Sequence, residues 1–201
     1  MSTLGDDVGK AKLAATALLM LPGLPFLYYG EEIGMLGTKP DEQIRTPMQW
    51  AGDDQGGFSS GRPWEAFQPN YKQVNVAAQD GDPASLLNHY RRLVQLHTEH
   101  PALAHGSFTA LKASAGSVAA FLRQADDELL LVVLNFGAAA VDRMTLELAA
   151  SELAPGTYRL ESLLGDAQGA ELTVGTAGSV VGYAPLATLA PQTGYVFKLT
   201  Q

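Results

Sequence analysis

The chain has 201 residues, 46% of them hydrophobic, with 21 acidic against 13 basic side chains and a formal net charge of -8. That is enough apolar material for one large core or two small ones, whereas no basic run exceeds the pair Arg91-Arg92, so the concentrated cationic face that nucleic acid requires is missing. Cysteine is absent, which excludes disulfides and thiolate metal sites, and the apolar stretch 13–21 follows no basic leader and is too short to cross a bilayer.

Residues 8–21 are rich in Ala and Leu, contain Gly9 as their one helix-weakening residue, and stop at Pro22-Gly23; they read as a helix. Because 14–21 is apolar apart from Thr16, that helix requires a large apolar partner. Residues 24–29, LPFLYY, read as a short strand buried on both faces, as strands of parallel α/β sheets are. From Gly30 to Gly81 neither period persists, Gly and Pro recur, and aromatic side chains gather at Trp50, Phe58, Trp64, Phe67 and Tyr71. A stretch of this length without regular structure reads as a functional loop. In DPASLLNHYRRLVQLHTEH, Asp82 is the expected N-cap and Pro83 the first helical residue. Leu86, Leu87, Tyr90, Leu93, Val94 and His97 then repeat at helical spacing, and Pro101 is expected to end the helix.

Beyond about residue 104 the texture changes. Phe121-Leu122, the run ELLLVVLNF, the alternation of Met144, Leu146 and Leu148, then Tyr158 and Leu160, and finally Tyr195, Phe197 and Leu199 read as short strands separated by turn residues. The expected division is an α/β piece over 1–103 and an all-β antiparallel Greek-key sandwich over 104–201.

Four stretches in fixed order, KAKLAATALLMLPGLPFLYYGEEIGM, KPDEQIRTPMQW, GFSSGRPW and SLLNHYRRLVQLHTEHPAL, resemble the C-terminal part of the catalytic domain of the α-amylase superfamily of glycoside hydrolases. The resemblance spans about residues 3–106; the second half resembles the family's C-terminal domain by position and pattern alone. It implies that 1–103 is the last β/α unit of a TIM-type (β/α)8 barrel: helix seven, strand eight, the long loop and helix eight. Such a barrel takes about 250 residues. The family's three catalytic carboxylates follow strands four, five and seven, so the resemblance implies a C-terminal fragment of a retaining α-glucan hydrolase or related transglucosidase that is inactive alone. The partner it implies is an α-glucan or maltooligosaccharide, bound by the complete enzyme. Neither cofactor nor metal is implied, and the parent's compartment stays open. With its barrel surface uncovered, 1–103 is expected to order only against the sandwich or another copy of the chain.

Glu31 and Glu32 raise the question of a catalytic pair. A retaining glycosidase sets two carboxyl groups about 5 to 5.5 Å apart across one sugar ring, and neighbours on an extended segment point to opposite faces. They are therefore not read as that pair; Glu32 is the candidate for supporting a substrate pocket, against the alternative of a solvated loop acid. Arg45, in IRTPMQW, is the second candidate. By resemblance it faces the cleft, where its fork suits vicinal sugar hydroxyls; the alternative is a loop-anchoring salt bridge to Asp41 or Glu42. Trp50 and Trp64 are candidate stacking platforms or, alternatively, loop packing. Asp6-Asp7 read as helix-start acids, and Asp53-Asp54 as a polar turn.

Overall fold

The computed structural model describes residues 1–201. It divides into two compact units, one formed by residues 1–15 and 24–94 and the other by residues 16–23 and 95–201. The change of unit at residue 94 precedes the composition change near 104, and an eight-residue piece of the N-terminal region belongs to the second unit.

Helix α1 (Val8–Met20), of which residues 8–15 belong to the first unit, begins beside Asp7, whose carboxylate accepts from the Lys10 amide at 3.1 Å. The reading of 24–29 as a strand does not hold. Those residues form no regular element, and Leu24 and Phe26 are each 84% exposed. A strand's backbone groups need a neighbouring ladder, and here none pairs with them. The long loop carries short elements: a 3-10 turn at Glu31–Ile33, α2 (Asp41–Ile44) and α3 (Val76–Asp80). Asn75 caps α3, its side-chain oxygen accepting from the Ala78 amide at 2.8 Å. Helix α4 (Leu86–Glu99) starts later than Asp82 suggested. Asp82 caps a preceding turn by accepting from Ala84, while the Ser85 hydroxyl accepts from the Asn88 amide and caps the helix itself. A small core of Ile33, Met48 and Leu87 joins the 3-10 turn, the loop and α4.

The second unit opens with α5 (Pro101–His105), for which Pro101 is a first-turn residue rather than a terminator. Ten strands follow: β1 (Ser107–Ala113), β2 (Val118–Ala125), β3 (Glu128–Asn135), β4 (Val141–Asp142), β5 (Leu146–Leu148), β6 (Gly156–Leu164), β7 (Leu172–Val174), β8 (Val180–Tyr183), β9 (Thr188–Leu189) and β10 (Thr193–Thr200). Eight of them form one antiparallel sheet in the order β7-β6-β10-β3-β2-β1-β5-β8, and β4 pairs with β9. The order β5-β1-β2-β3 is that of a Greek key. Two stacked sheets were expected. Instead a single sheet curls until its end strands β7 and β8 come into contact, around a core running from Leu111 to Leu199 that includes Phe197, Leu131 and Val133.

Strand β3 is buried on both faces. Alternate residues Leu129, Leu131 and Val133 face that core, which accounts for the unbroken apolar run in the sequence. On the β2–β3 side lies α5, and the Gly194 backbone of β10 approaches Thr16 so closely that a Cβ there would meet Thr16 Cγ2 at 2.7 Å. Arg123 of β2 is 1% exposed and meets no carboxylate. Its guanidinium donates to the carbonyls of Met20 at 2.8 Å, Leu103 at 3.0 Å, Gly106 at 3.1 Å and Ser107 at 3.2 Å. Two of these oxygens end helices α1 and α5, where the helix dipole favours a cation. Burial lowers the guanidinium's pKa.

Candidate functional site

In the first unit a cleft of about 370 Å³ is lined by Tyr29, Glu32, Arg45, Thr46, Pro47, Met48, Trp50, Phe58 and Trp64. The three residues singled out in the sequence, Glu32, Arg45 and Trp50, thus share one cavity. Its size falls within the range of about 300–1,000 Å³ of small-molecule sites.

Local structure explains how each side chain gets there. Gly30 and Gly34, at φ 86° and 80°, bracket the 3-10 turn that carries both glutamates. Successive residues of such a turn are about a third of a revolution apart. The two acids diverge for that reason, rather than through the extended geometry inferred from sequence. Glu31 accepts from the Tyr90 hydroxyl at 3.3 Å, while Glu32 lines the cleft and pairs with no cation. Burial, and then the charge of Glu31, raises the Tyr90 pKa well above the usual phenol value, so Tyr90 remains a donor.

Arg45 follows α2 and forms a salt bridge of 3.2 Å to Asp41, a residue also approached by Lys39 at 3.7 Å. Arg45 thus anchors its loop through Asp41 and at the same time lines the cleft. The pair is about half exposed on each side, so it contributes little stability. In the sequence Tyr29 reads only as part of the 24–29 strand. Its hydroxyl donates to the Thr46 carbonyl at 2.9 Å, fixing the wall next to Arg45, and burial raises its pKa, with Tyr28 adding to the shift and Arg45 opposing it.

Trp50 is held through its backbone. Its amide donates to the Gly56 carbonyl at 2.9 Å, and its own carbonyl accepts from Ala77 at the start of α3 at 3.0 Å. The turn returning to Gly56 is closed by the Asp53 carboxylate, which accepts from the amides of Gln55 and Gly57. Trp50, Phe58 and Trp64 remain 49%, 49% and 63% exposed, so about half or more of each residue stays open to solvent. The cleft thus combines one cation, one carboxylate, a tyrosine and three open aromatic rings. It contains no second carboxylate facing Glu32. The Arg45 and Trp50 signals were readable from motif and clustering; Tyr29 and Phe58 carried none beyond aromaticity.

A family model described as "Alpha amylase, catalytic domain" matches residues 1–106. Among curated relatives, an oligo-1,6-glucosidase of Halalkalibacterium halodurans is 35% identical over 176 residues, covering 68% of this chain and 31% of the relative. The trehalose synthase/amylase TreS of Mycobacterium tuberculosis is 40% identical over 147 residues, covering 66% of this chain and 24% of the relative. The chain therefore spans less than a third of the length of these relatives. The crystal structure of the trehalulose synthase MutB of Pseudomonas mesoacidophila superposes with a TM-score of 0.71 at 27% identity, over 99% of this chain and 40% of that one. The motifs around Glu32 and Arg45, the matched domain model and the shared fold converge: the chain belongs to the α-amylase superfamily of glycoside hydrolases.

Proposed function

We propose that these 201 residues are the C-terminal part of a retaining α-glucan hydrolase or transglucosidase, supplying the substrate-binding wall of its site but not its acid pair. The carrying observation is the cleft itself, where Arg45, Glu32 and Trp50 meet with a single carboxylate present. Arg45 donates to vicinal sugar hydroxyls, Trp50 and Trp64 stack on the apolar face of a pyranose, and Glu32 accepts from a hydroxyl at the rim. Bond cleavage with retention requires two carboxyl groups about 5 to 5.5 Å apart, and Glu31, turned towards Tyr90, is not the second.

On this reading the exposed segment 24–29, irregular here, becomes a barrel strand only when neighbouring strands from outside these residues pair with it, and α1 and α4 are barrel helices. The open faces of Leu24 and Phe26 support it. They also support self-association of the isolated chain through that segment. The likeness to TreS keeps transglucosylation beside hydrolysis as the parent reaction. A sugar-binding role for the sheet has less support, since both tryptophans lie in the first unit. The purified chain is expected to show no turnover of maltooligosaccharides or p-nitrophenyl α-glucoside. Turnover that survives repurification and disappears in Glu31→Gln or Glu32→Gln would overturn the proposal.

A further inference from the structure

A cavity of about 500 Å³ in the first unit shares no lining residue with the Arg45 cleft. Val8 of α1, Ile33, Leu36, Val74 and Leu86 of α4 give it an apolar wall, joined by the acids Asp6 and Asp82. None of the lining side chains is cationic, and neither acid forms an ion pair within the chain. Both acids are exposed, whereas Ile33 and Leu86 are buried. The cavity therefore has an apolar floor and a negative mouth.

Two of its neutral polar side chains are already committed. Gln79 donates to the Ile33 carbonyl at 2.7 Å and accepts from the Leu87 amide at 3.1 Å, while the Ser85 hydroxyl donates to the Gln79 carbonyl at 2.9 Å and accepts from the Asn88 amide at 3.1 Å. Asn70 differs. Its side-chain oxygen is buried without a hydrogen-bond partner, and no hydrogen bond holds its carboxamide in place. A buried oxygen left unpaired is costly, and a donor entering the cavity removes that cost once the unheld carboxamide turns to meet it. Asp82 spends one oxygen on the Ala84 amide at 2.8 Å and keeps the other free. What the cavity leaves to a ligand is thus a set of acceptors, two of them charged, beside apolar surface.

We propose that this cavity binds a small aliphatic primary ammonium, its chain against Ile33, Leu36, Val74 and Leu86 and its N–H donors directed to the acceptors of Asp6, Asn70 and Asp82. An ammonium carries three donors and no acceptor, and its bonds to carboxylates are charge-assisted. The proposal is independent of the sugar reading of the Arg45 cleft. Its test is a titration of the 13C,15N-labelled chain with n-hexylammonium chloride, with 1-hexanol and sodium hexanoate as neutral and anionic ligands of equal length. Nuclear Overhauser contacts are expected from the hexyl protons to the methyl groups of Ile33, Val74 and Leu86, together with a shift of the Asn70 side-chain amide. The ammonium is expected to bind about fivefold tighter than hexanol, on the scale of exposed charge pairing, with hexanoate weakest and the gap narrowing in salt. Asp6→Asn and Asp82→Asn together should abolish that preference and leave hexanol binding unchanged. Asn tolerates the φ of 58° at residue 6 and can still accept from the Ala84 amide at residue 82. Asn70→Leu should weaken the ammonium more than the alcohol. Contacts to the Trp50 or Trp64 rings in place of those methyls, hexanol binding as tightly as the ammonium, a preference that survives the double variant, or no binding of any of the three would each overturn the proposal.

Discussion

The two units use their apolar side chains in opposite ways. In the second, β3 sinks Leu130, Leu131, Val132 and Val133 to complete burial, and the core continues through Phe197 and Leu189. In the first, a core cluster of Ile33, Met48 and Leu87 underlies a loop whose order comes from backbone hydrogen bonds and caps, while Trp50, Phe58 and Trp64 stay open. Close packing resists change in volume. Turns closed by Asp53 and Asn75, with the Gln79 carboxamide donating to the Ile33 carbonyl and accepting from the Leu87 amide, instead position side chains without hiding them. Rigidity without burial is what a surface for a polar ligand needs.

The two tryptophans both belong to the first unit and the ladder of strands to the second, so tryptophan emission follows the first unit, whereas far-ultraviolet dichroism sums both and reports on the second through the change that emission does not share. The largest effect is expected from Arg123→Met, which strips donors from the carbonyls of Met20, Leu103, Gly106 and Ser107. A loss of about 3 kcal/mol or more is expected from several buried acceptors left unpaired, seen as a fall in the dichroism midpoint in urea. If tryptophan emission shifts by the same amount at the same midpoint, the contrast between the units is broken and they unfold as one.

Gly56→Ala tests the loop side. Gly56 sits at φ 59°, and a Cβ there would approach the Phe67 ring at 2.4 Å, so a cost of about 2 kcal/mol is expected from backbone strain and overlap. Because the Gly56 carbonyl also holds the Trp50 amide, emission should shift while the sheet signal stays. An unchanged emission spectrum would count against backbone control of Trp50.

The smallest effect is one of pH. The His89 Nε2–H donates to the Lys12 carbonyl at 3.1 Å, and burial lowers its pKa from the usual 6.5, outweighing the effect of that hydrogen bond. The unfolded chain then takes up the proton more readily than the folded one. The neutral ring's contribution is fully present above about pH 6.5 and is lost as pH falls through the lower folded value. Urea midpoints should decline from neutral pH towards about 5, with a shallower slope in His89→Gln; equal slopes would remove His89 as the cause.

What could be read from the sequence followed period and length. The helix over 8–20 and strands β3 and β10 were legible because an unbroken apolar run or a sustained alternation marks a buried element. Strands β4 and β9, two residues each, are too short for any alternation to register. Residues 24–29 misled because β-rich composition records a preference for a pleated, half-buried surface, and preference does not provide a partner. Ser85 displaced Asp82 as the helix cap because both are good caps, and tertiary contacts from Gln79 and Asn88 decided between them. In the cleft, Arg45 and Trp50 stood out by motif, but the hydrogen bond from Tyr29 to Thr46 links residues 17 positions apart and leaves no trace in local pattern. Arg123 was equally silent: a lone arginine in AFLRQA reads as an outward-facing charge.

That arginine also bears on how the molecule can be dissected. A recombinant fragment starting at residue 104 would keep Arg123 but discard Met20 and Leu103, two of its four acceptors, together with the Thr16–Gly23 piece that belongs to the same unit. The guanidinium would then face solvent through the gap, beside apolar surface stripped of its cover. Anyone wishing to study the sheet in isolation should carry residues 16–23 along, by circular permutation or as a synthetic peptide added in trans.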